Sequence, residues 1–205
     1  MDGREHWEQV YSSNATERLG WYEPHLQPTL AWIRELGLDK EARIIDVGGG
    51  ASTLVDDLLE KGYQHLTVLD LSKHALAAVR KRLGAAADRV TWHEGDITSV
   101  PLPLTHYDLW HDRAVFHFLT DPEDKKKYAH TLDQALKKGG HIIIGTFALE
   151  APPRCSGLEV ERYTPKRLHK ALGKRLVPQK HQKELHLTPS GVEQMYIYCQ
   201  FRKSV

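Results

Sequence analysis

The chain has 205 residues, the size of one ordinary domain, so we expect a single domain over residues 1–205. Hydrophobic residues make up 40% of it and charged residues 27%, proportions that exclude the disordered and fibrous classes. The 28 lysines and arginines nearly balance 27 acidic residues, and a net charge of +1 argues against nucleic acid or an anionic membrane as a partner.

Hydrophobic spacing predicts the elements in chain order. Residues 1–40 are expected to form an N-terminal helical cover, with helices over 5–13 and 28–36. Strands and helices then alternate, which is typical of βαβ units and predicts an α/β core with a parallel sheet over 41–205. The strands are predicted over 42–47, 65–71, 89–94, 106–111 and 140–147, and the helices over 52–61, 73–83 and 122–138. Two β-rich runs over 175–187 and 192–202 predict a C-terminal antiparallel hairpin.

Few features point to a membrane, a secretory route or a metal. The longest nearly apolar run, residues 141–149, is far shorter than the roughly 20 residues that span a bilayer. The N-terminus lacks the apolar core of a signal peptide. Cys155 and Cys199 are too few for a disulfide framework or a cysteine-rich zinc site. We therefore expect a cytoplasmic protein without a metal, a monomer or a weak dimer.

Glycines and acidic residues mark the ends of three successive predicted strands. Gly48, Gly49 and Gly50 join the first strand to a helix, where glycine permits a tight turn and close approach of a ligand. Asp70 ends the second strand and Asp96 follows the third, where carboxylates can accept hydrogen bonds from ribose hydroxyls and an adenine amino group. Each feature alone is also explained by a turn or a helix cap. Together they favour a nucleoside ligand at the switch point of the sheet.

The spacing of the glycines and the charge beside them distinguish between two possible classes of nucleoside ligand. The dinucleotide fingerprint G-x-G-x-x-G fits Gly48 and Gly50, but Thr53 takes the place of its last glycine. Asp46 lies two residues before the loop, and a carboxylate there suits a positively charged ligand better than a pyrophosphate. The sulfonium and amino groups of S-adenosylmethionine (SAM) meet that requirement, and an NAD-dependent oxidoreductase is the weaker alternative.

Over residues 40–205 these motifs resemble those of the class I SAM-dependent methyltransferases. Asp46 to Gly50 resembles their first motif, Leu69-Asp70 the ribose-binding acid, and Gly95-Asp96-Ile97 the segment that contacts adenine; Leu136 to Gly140 resembles the Leu-x-Pro-Gly-Gly before strand five, with Lys138 in place of proline. The resemblance implies a Rossmann-like, doubly wound, seven-stranded sheet, mostly parallel, with an antiparallel strand in the C-terminal hairpin. It also implies SAM as cofactor, S-adenosylhomocysteine as product, and cofactor contacts from Asp46, Gly48, Gly49, Gly50, Asp70, Leu71, Asp96, Ile97, His111, Trp7, Tyr11 and Trp21.

A second, looser resemblance concerns the methyl acceptor. Asp112-Arg113-Ala114 resembles the Asp-Arg-Gly/Ala segment of the thiopurine methyltransferase group, and the aromatic N-terminal segment with Trp7, Tyr11 and Trp21 resembles the part of that group that folds over cofactor and acceptor. This favours a small soft nucleophile, a thiol or a metalloid oxyanion. The Asn/Asp-Pro-Pro-Tyr/Phe motif of nucleic-acid amino-methyltransferases is absent from the fourth strand.

Three residues at the end of the fourth strand are candidates for catalysis. His111 is a candidate base because histidine is the side chain suited to proton transfer at physiological pH, or else it bonds to a neighbouring loop. Arg113 could hold an anionic acceptor or a thiolate, or else pair with Asp112 or Asp108. Asp112, which lies between them, is the third residue predicted to take part in catalysis. Outside this group, Arg154 could lower the pKa of the Cys155 thiol, and the basic run over 165–186 is either a docking surface or a solvated face.

The sequence therefore predicts a SAM-dependent methyltransferase that acts on a small-molecule acceptor. Two alternatives stay open: a protein lysine methyltransferase, and a SAM-binding module without catalysis. A deep pocket closed by the N-terminal aromatic residues favours the small-molecule acceptor, and an open groove with an acidic rim favours the protein lysine methyltransferase.

Overall fold

The protein is described by a computed structural model that covers residues 3–205, so the first two residues of the predicted domain lie outside the described part. Its centre is a seven-stranded sheet in the order β3-β2-β1-β4-β5-β9-β8. The strands are β1 (Arg43–Val47), β2 (His65–Asp70), β3 (Val90–Glu94), β4 (Tyr107–Arg113), β5 (Leu136–Phe147), β8 (Leu176–Leu187) and β9 (Glu193–Lys203). Strands β1 to β5 pair in parallel, whereas β9 is antiparallel to both β5 and β8.

Helices cover both faces of this sheet. They are α1 (Gly3–Ser13), α2 (Gln27–Leu36), α3 (Leu54–Glu60), α4 (Lys73–Leu83), α5 (Pro122–Ala135) and α6 (Pro165–Leu172), and a two-stranded hairpin of β6 (Arg154–Cys155) and β7 (Leu158–Glu159) follows β5. Neighbouring residues of β1 show how the two cores arise. Ile44 packs with α2, α3 and α4 on one face, and Ile45 packs with α5 and α6 on the other, because successive side chains of a strand point to opposite faces.

The predicted fold class is confirmed: the sheet is doubly wound, mostly parallel and closed by an antiparallel hairpin strand. The Ser72 hydroxyl caps α4 by accepting a hydrogen bond from the Ala75 amide, as its position before the helix indicates. The predicted boundary between α5 and β5 was wrong, and β5 begins at Leu136 rather than residue 140. Helix α5 ends at Ala135 rather than residue 138, because Leu136 already pairs in parallel with Tyr107 and belongs to β5.

The topology brings the carboxyl ends of β1, β2 and β4 to one edge of the sheet, where the N-terminal segment covers them. Val47 at the end of β1 is in register with Leu69 on one side and Asp112 on the other. The glycine turn after β1 therefore lies between the acid that ends β2 and the candidate residues that end β4. Among residues 3–205 no helix combines the length and the apolar character needed to cross a membrane.

Candidate functional site

Gly48 begins the turn after β1 and is needed there for two reasons. Its φ of +71° lies in the left-handed region, and a Cβ at this position would come within 2.0 Å of Val115 Cγ2. Its amide donates to the Leu69 carbonyl at 2.7 Å, which ties the turn to the end of β2. The backbone at Gly48 is thereby left open on the wall of a cavity.

The next two glycines make room for carboxylates. A Cβ on Gly49 would lie 2.4 Å from Asp46 Oδ2, and one on Gly50 would lie 2.5 Å from Asp70 Oδ2. Asp46 Oδ2 is buried and has no hydrogen-bond partner among the described residues. A buried carboxylate oxygen without a partner is costly, so a donor or a positive charge beside the glycine turn would be favoured.

Asp70 is held rigidly at the end of β2. Its Oδ2 accepts from the Gly50 amide at 3.0 Å and its Oδ1 from the Ser72 amide at 2.8 Å. Burial raises the pKa of Asp70 to about 6, against the opposing effect of these amides. Each carboxylate oxygen can accept a second hydrogen bond. Asp70 also lines the cavity, so it can accept from ligand hydroxyls there.

The cavity at this edge of the sheet has a volume of about 250 Å³. Its wall contains most of the residues that the sequence predicts as cofactor contacts: Trp7, Tyr11, Trp21, Gly48, Asp70, Leu71, Asp96 and Ile97, joined by Arg113. Gly49, Gly50, Asp46 and His111 lie outside this wall. Asp96 is exposed, and its Oδ1 accepts from the Thr98 amide and hydroxyl, so it caps the turn after β3 as well as lining the cavity.

Aromatic rings from the N-terminal segment close the cavity. Trp7 on α1 meets Trp21 edge to face with ring centres 5.6 Å apart, and Tyr11 meets Trp21 at 5.8 Å. Trp7 also packs against Phe118, which follows β4, at 5.0 Å. Burial raises the pKa of Tyr11 well above its ordinary value, and the Asp70 carboxylate acts in the same direction. The sequence reasoning missed Phe118, whose position just after a predicted strand end was its only signal.

Arg113 joins the cavity to the rest of the fold. Its Nε donates to the Tyr198 hydroxyl at 2.8 Å and its Nη1 to the Trp21 carbonyl at 2.7 Å, while the guanidinium lies 4.6 Å from the centre of the Tyr196 ring. The alternative of an ion pair with Asp108 or Asp112 is not found. Arg113 also lines the cavity, so its cation lies at the cavity wall.

His111 lies behind the main cavity and has both ring nitrogens engaged. Nδ1 donates to Asp46 Oδ1 at 2.6 Å, and Nε2 lies 3.1 Å from the Thr29 hydroxyl of α2. The ring is almost completely buried. It lines a second space of about 20 Å³, which shares Gly48, Trp21 and Arg113 with the main cavity. In this position His111 can orient Asp46, whereas a base for the acceptor would have to line the main cavity.

The catalytic role predicted for Asp112 is replaced by a structural one. Its Oδ2 accepts from the Tyr128 hydroxyl at 2.6 Å, and its Oδ1 accepts from the Val115 amide at 2.9 Å. The side chain is fully buried on the α5 face of the sheet, away from the cavity, and burial raises its pKa to about 6. The Asp112 carboxylate therefore fixes the turn after β4 from the α5 face of the sheet.

The remaining candidates have ordinary surroundings. Burial raises the pKa of the Cys155 thiol, which lines the cavity, whereas Arg154 is exposed and pairs with Glu159 at 3.5 Å, so the expected activation by Arg154 is wrong. Burial lowers the pKa of His117 to about 3. The basic run is partly neutralised by four ion pairs: Arg167 with Glu161, Arg175 with Asp133, Lys180 with Glu35, and Lys183 with Glu150.

Together, the glycine turn, the acid that ends β2 and the order of the strands are those of the class I SAM-dependent methyltransferase fold. Residues 44–140 match the family model described as a methyltransferase domain. We therefore identify residues 44–140 as a methyltransferase domain, and the sheet as the fold of the class I SAM-dependent methyltransferases, a class whose cofactor is SAM.

Three similar proteins illustrate the range of acceptors within the class. The ubiquinone/menaquinone biosynthesis C-methyltransferase UbiE of Roseobacter denitrificans is 30% identical over 109 residues, 52% of this chain and 42% of the relative. The eEF1A lysine and N-terminal methyltransferase of Bos taurus is 22% identical over 140 residues, 68% of this chain and 20% of the relative. The chain thus spans less than half the length of either. The structure of Burkholderia thailandensis 1,6-didemethyltoxoflavin-N1-methyltransferase with S-adenosylhomocysteine has a TM-score of 0.68 and 18% identity, over 98% of this chain and 84% of that one.

The residues present fit the cofactor chemically. Asp70 offers free acceptor positions for hydroxyl groups, and Leu71 and Ile97 give the cavity an apolar side. The unpartnered oxygen of Asp46 beside Gly49 offers a buried negative charge for an ammonium or a sulfonium. SAM, when bound, supplies an activated methyl group on a sulfonium.

Proposed function

We propose that the protein transfers the methyl group of SAM to a small acceptor that reacts through a thiolate or a similar soft, anionic nucleophile. Asp46, Gly48, Gly49, Gly50, Asp70, Leu71, Asp96 and Ile97 serve the cofactor in this proposal. Trp7, Tyr11 and Trp21 enclose the cofactor and the acceptor, and Arg113 orients the acceptor. His111 acts indirectly by holding Asp46.

The aromatic closure of the cavity carries the proposal. Trp7, Tyr11, Trp21 and Phe118 form one continuous ring cluster over the space beside Gly48. Enclosure of this kind excludes water and aligns a small reactant with the methyl group, which is most of what an in-line displacement requires. A protein segment would need an open groove instead.

The charges on the wall favour an anionic acceptor. Arg113 is the cation at the acceptor side, and it would repel the ammonium of a lysine but stabilise a thiolate. The described wall contains no histidine that could act as a base. A thiol, with a pKa of roughly 8.5, ionises without strong help from a base.

The reaction balances without a further reactant. The thiolate sulfur forms a bond to the methyl carbon as the bond from that carbon to the sulfonium breaks. The products are a methyl thioether and neutral S-adenosylhomocysteine, and the proton of the thiol goes to solvent. Arg113 offsets the negative charge before transfer, and the aromatic rings keep water out of the line of attack.

Calorimetric titration with S-adenosylhomocysteine, with NAD as the control, tests the cofactor part. We expect micromolar binding of the first alone. Turnover with radiolabelled SAM is then compared for a panel of small thiols, small amines and phenols, and lysine-containing peptides. Thiol methylation that Arg113→Gln reduces while the affinity for S-adenosylhomocysteine is kept would support the acceptor assignment. Transfer to peptides alone would refute it.

A protein lysine methyltransferase is the second candidate, because the bovine relative named for eEF1A lysine methylation aligns with 68% of this chain. A SAM-binding module without catalysis is the third, and tight cofactor binding without turnover on the whole panel would support it. We also infer a cytoplasmic location, in which the free cysteines Cys155 and Cys199 would stay reduced, and a monomer or weak dimer.

A further inference from the structure

His186 on β8 holds the segment that carries Trp21. Its ring is buried, with its side chain 1% exposed. Nδ1 lies 2.5 Å from Glu23 Oε1, and Nε2 lies 2.7 Å from the Gly20 carbonyl oxygen. One ring of the C-terminal hairpin therefore bonds to both ends of the stretch from Gly20 to Glu23.

Both partners of the ring are acceptors. A carboxylate and a carbonyl oxygen have no hydrogen to donate, so the two bonds require an N–H on each nitrogen of His186. This is the imidazolium form of the ring. A neutral ring could donate only one of the two bonds and would leave the other acceptor without its donor.

The charges around the ring agree with a cation. Glu23 faces it from the N-terminal segment and Glu184 from its own strand, while Tyr196 of β9 packs edge to face against it with ring centres 6.0 Å apart. Arg113 is the other cation that interacts with these two carboxylates. Two carboxylates thus meet two cations when His186 is protonated, and the cluster keeps one uncompensated negative charge when it is not.

The segment is bound at further points that lie directly beside the cavity. The Trp21 carbonyl accepts from Arg113 at 2.7 Å, and the Glu23 carbonyl accepts from the Thr53 hydroxyl at 2.9 Å. Trp21 itself lines both the main cavity and the smaller space behind Gly48. A change in the bonds of His186 would therefore move a wall of the cavity.

We propose that His186, as an imidazolium, is a positioning residue that clamps Gly20 to Glu23 and so fixes Trp21 over the cavity. Loss of one ring proton releases one bond of the clamp and loosens the closure. The clamp is a property of the folded chain and needs no acceptor for its detection. Its consequence for turnover rests on the proposed function.

The first test is NMR of the full chain without cofactor or acceptor. Long-range proton–nitrogen spectra should show both nitrogens of His186 in the imidazolium form at neutral pH. As the pH rises, the ring should titrate together with the amide signals of Gly20 to Glu23. A ring that is neutral at pH 7, or that titrates without a response in this segment, would overturn the proposal.

Two variants sharpen the test. Glu23→Gln removes the carboxylate partner, so the midpoint of the coupled transition should move to lower pH. His181→Gln changes an exposed histidine of the same strand and should leave the midpoint unchanged. An unchanged midpoint in Glu23→Gln would contradict the clamp, as would an equal shift in His181→Gln.

Turnover separates positioning from a purely structural role once an acceptor is known. His186→Gln should raise the acceptor KM by about threefold or more and leave the affinity for S-adenosylhomocysteine within about twofold. Turnover of the unmodified protein should fall as the ring loses a proton, and the pH profile of His186→Gln should lack that fall. If no methyl transfer is found at all, the proposed function fails while the NMR result still decides the clamp.

Discussion

Asp70 provides the sharpest test of the cofactor site. We expect Asp70→Ala to weaken binding of S-adenosylhomocysteine because the carboxylate accepts hydrogen bonds from the ribose. A hydrogen bond to a charged group contributes roughly 1.5–3 kcal/mol, so the loss of one such bond weakens binding roughly 10- to 150-fold. The measurement is calorimetric titration at pH 7.5, where the carboxylate, with its pKa raised to about 6, is ionised.

Removal of Asp70 also frees the Gly50 and Ser72 amides, so loop damage must be separated from ligand loss. Asp70→Asn keeps the shape of the side chain but can accept at only one of its two terminal atoms, and thermal unfolding of both variants reports on the loop. Asp124→Ala, which removes a partly exposed carboxylate of α5 that does not line the cavity, is the matched control. Unchanged affinity in a folded Asp70→Ala protein would refute the ribose assignment.

The affinity should also depend on pH with a known sign. The protonated carboxyl is the poorer acceptor, so binding should be strongest above pH 6 and weaken as the pH falls. With a pKa of about 6, the unliganded site is mostly protonated at pH 5, which predicts about tenfold weaker binding there. A flat profile between pH 5 and 7.5 would contradict the assignment of Asp70.

Further predictions concern the supports of the site. Gly48→Ala forces a Cβ to within 2.0 Å of Val115 Cγ2 and should abolish measurable cofactor binding, whereas Gly62→Ala has a similar positive φ with nothing nearby, so it should lower stability and leave binding intact. Equal effects of the two glycine variants on binding would be evidence against close approach at Gly48. Asp112→Asn should lower the free energy of unfolding by roughly 1–3 kcal/mol, since the amide cannot accept all the bonds of the carboxylate, but should keep the affinity for S-adenosylhomocysteine. The folded pKa of Asp112 is about 6, above the ordinary 3.8, so this site makes the unmodified protein about 1 kcal/mol more stable at pH 5 than at pH 7. Chemical denaturation should therefore show a larger gap between the unmodified protein and Asp112→Asn at pH 5, and a gap that does not change with pH would show that Asp112 is ionised at both.

Most of the fold could be predicted because local signals marked its boundaries. Apolar runs that end in glycine located β1 and α4, and a serine cap gave the start of α4 at the observed residue. The end of α5 could not be predicted from helix spacing, since it is set by pairing of Leu136 with Tyr107 in a strand 29 residues away. Pairing between distant strands leaves little trace in the local sequence.

The sequence places some residues of the candidate site better than others, and the geometry of strands explains the difference. Most of the predicted cofactor residues lie at or just after the ends of strands, where the chain order alone places them together. His111, Asp112 and Arg113 are consecutive residues of β4, so Asp112 must face away from the side that His111 and Arg113 share. This alternation was available from the sequence, whereas the bonds of His111 to Asp46 and Thr29 depend on residues 65 and 82 positions away.

Asp70 lowers the stability of the unliganded fold and would raise the affinity for a ligand with hydroxyl groups. A buried carboxylate with a raised pKa is an unfavourable feature of the unliganded fold at neutral pH, and two backbone amides reduce the penalty only in part. Ribose hydroxyls would supply the missing donors, so the cofactor would remove a penalty as well as add contacts. Because a ligand of the folded state stabilises it by mass action, the same cofactor concentration should raise the unfolding temperature of the unmodified protein more than that of Asp70→Ala, which binds more weakly. Equal shifts at equal cofactor concentration would show that Asp70 adds nothing to the affinity.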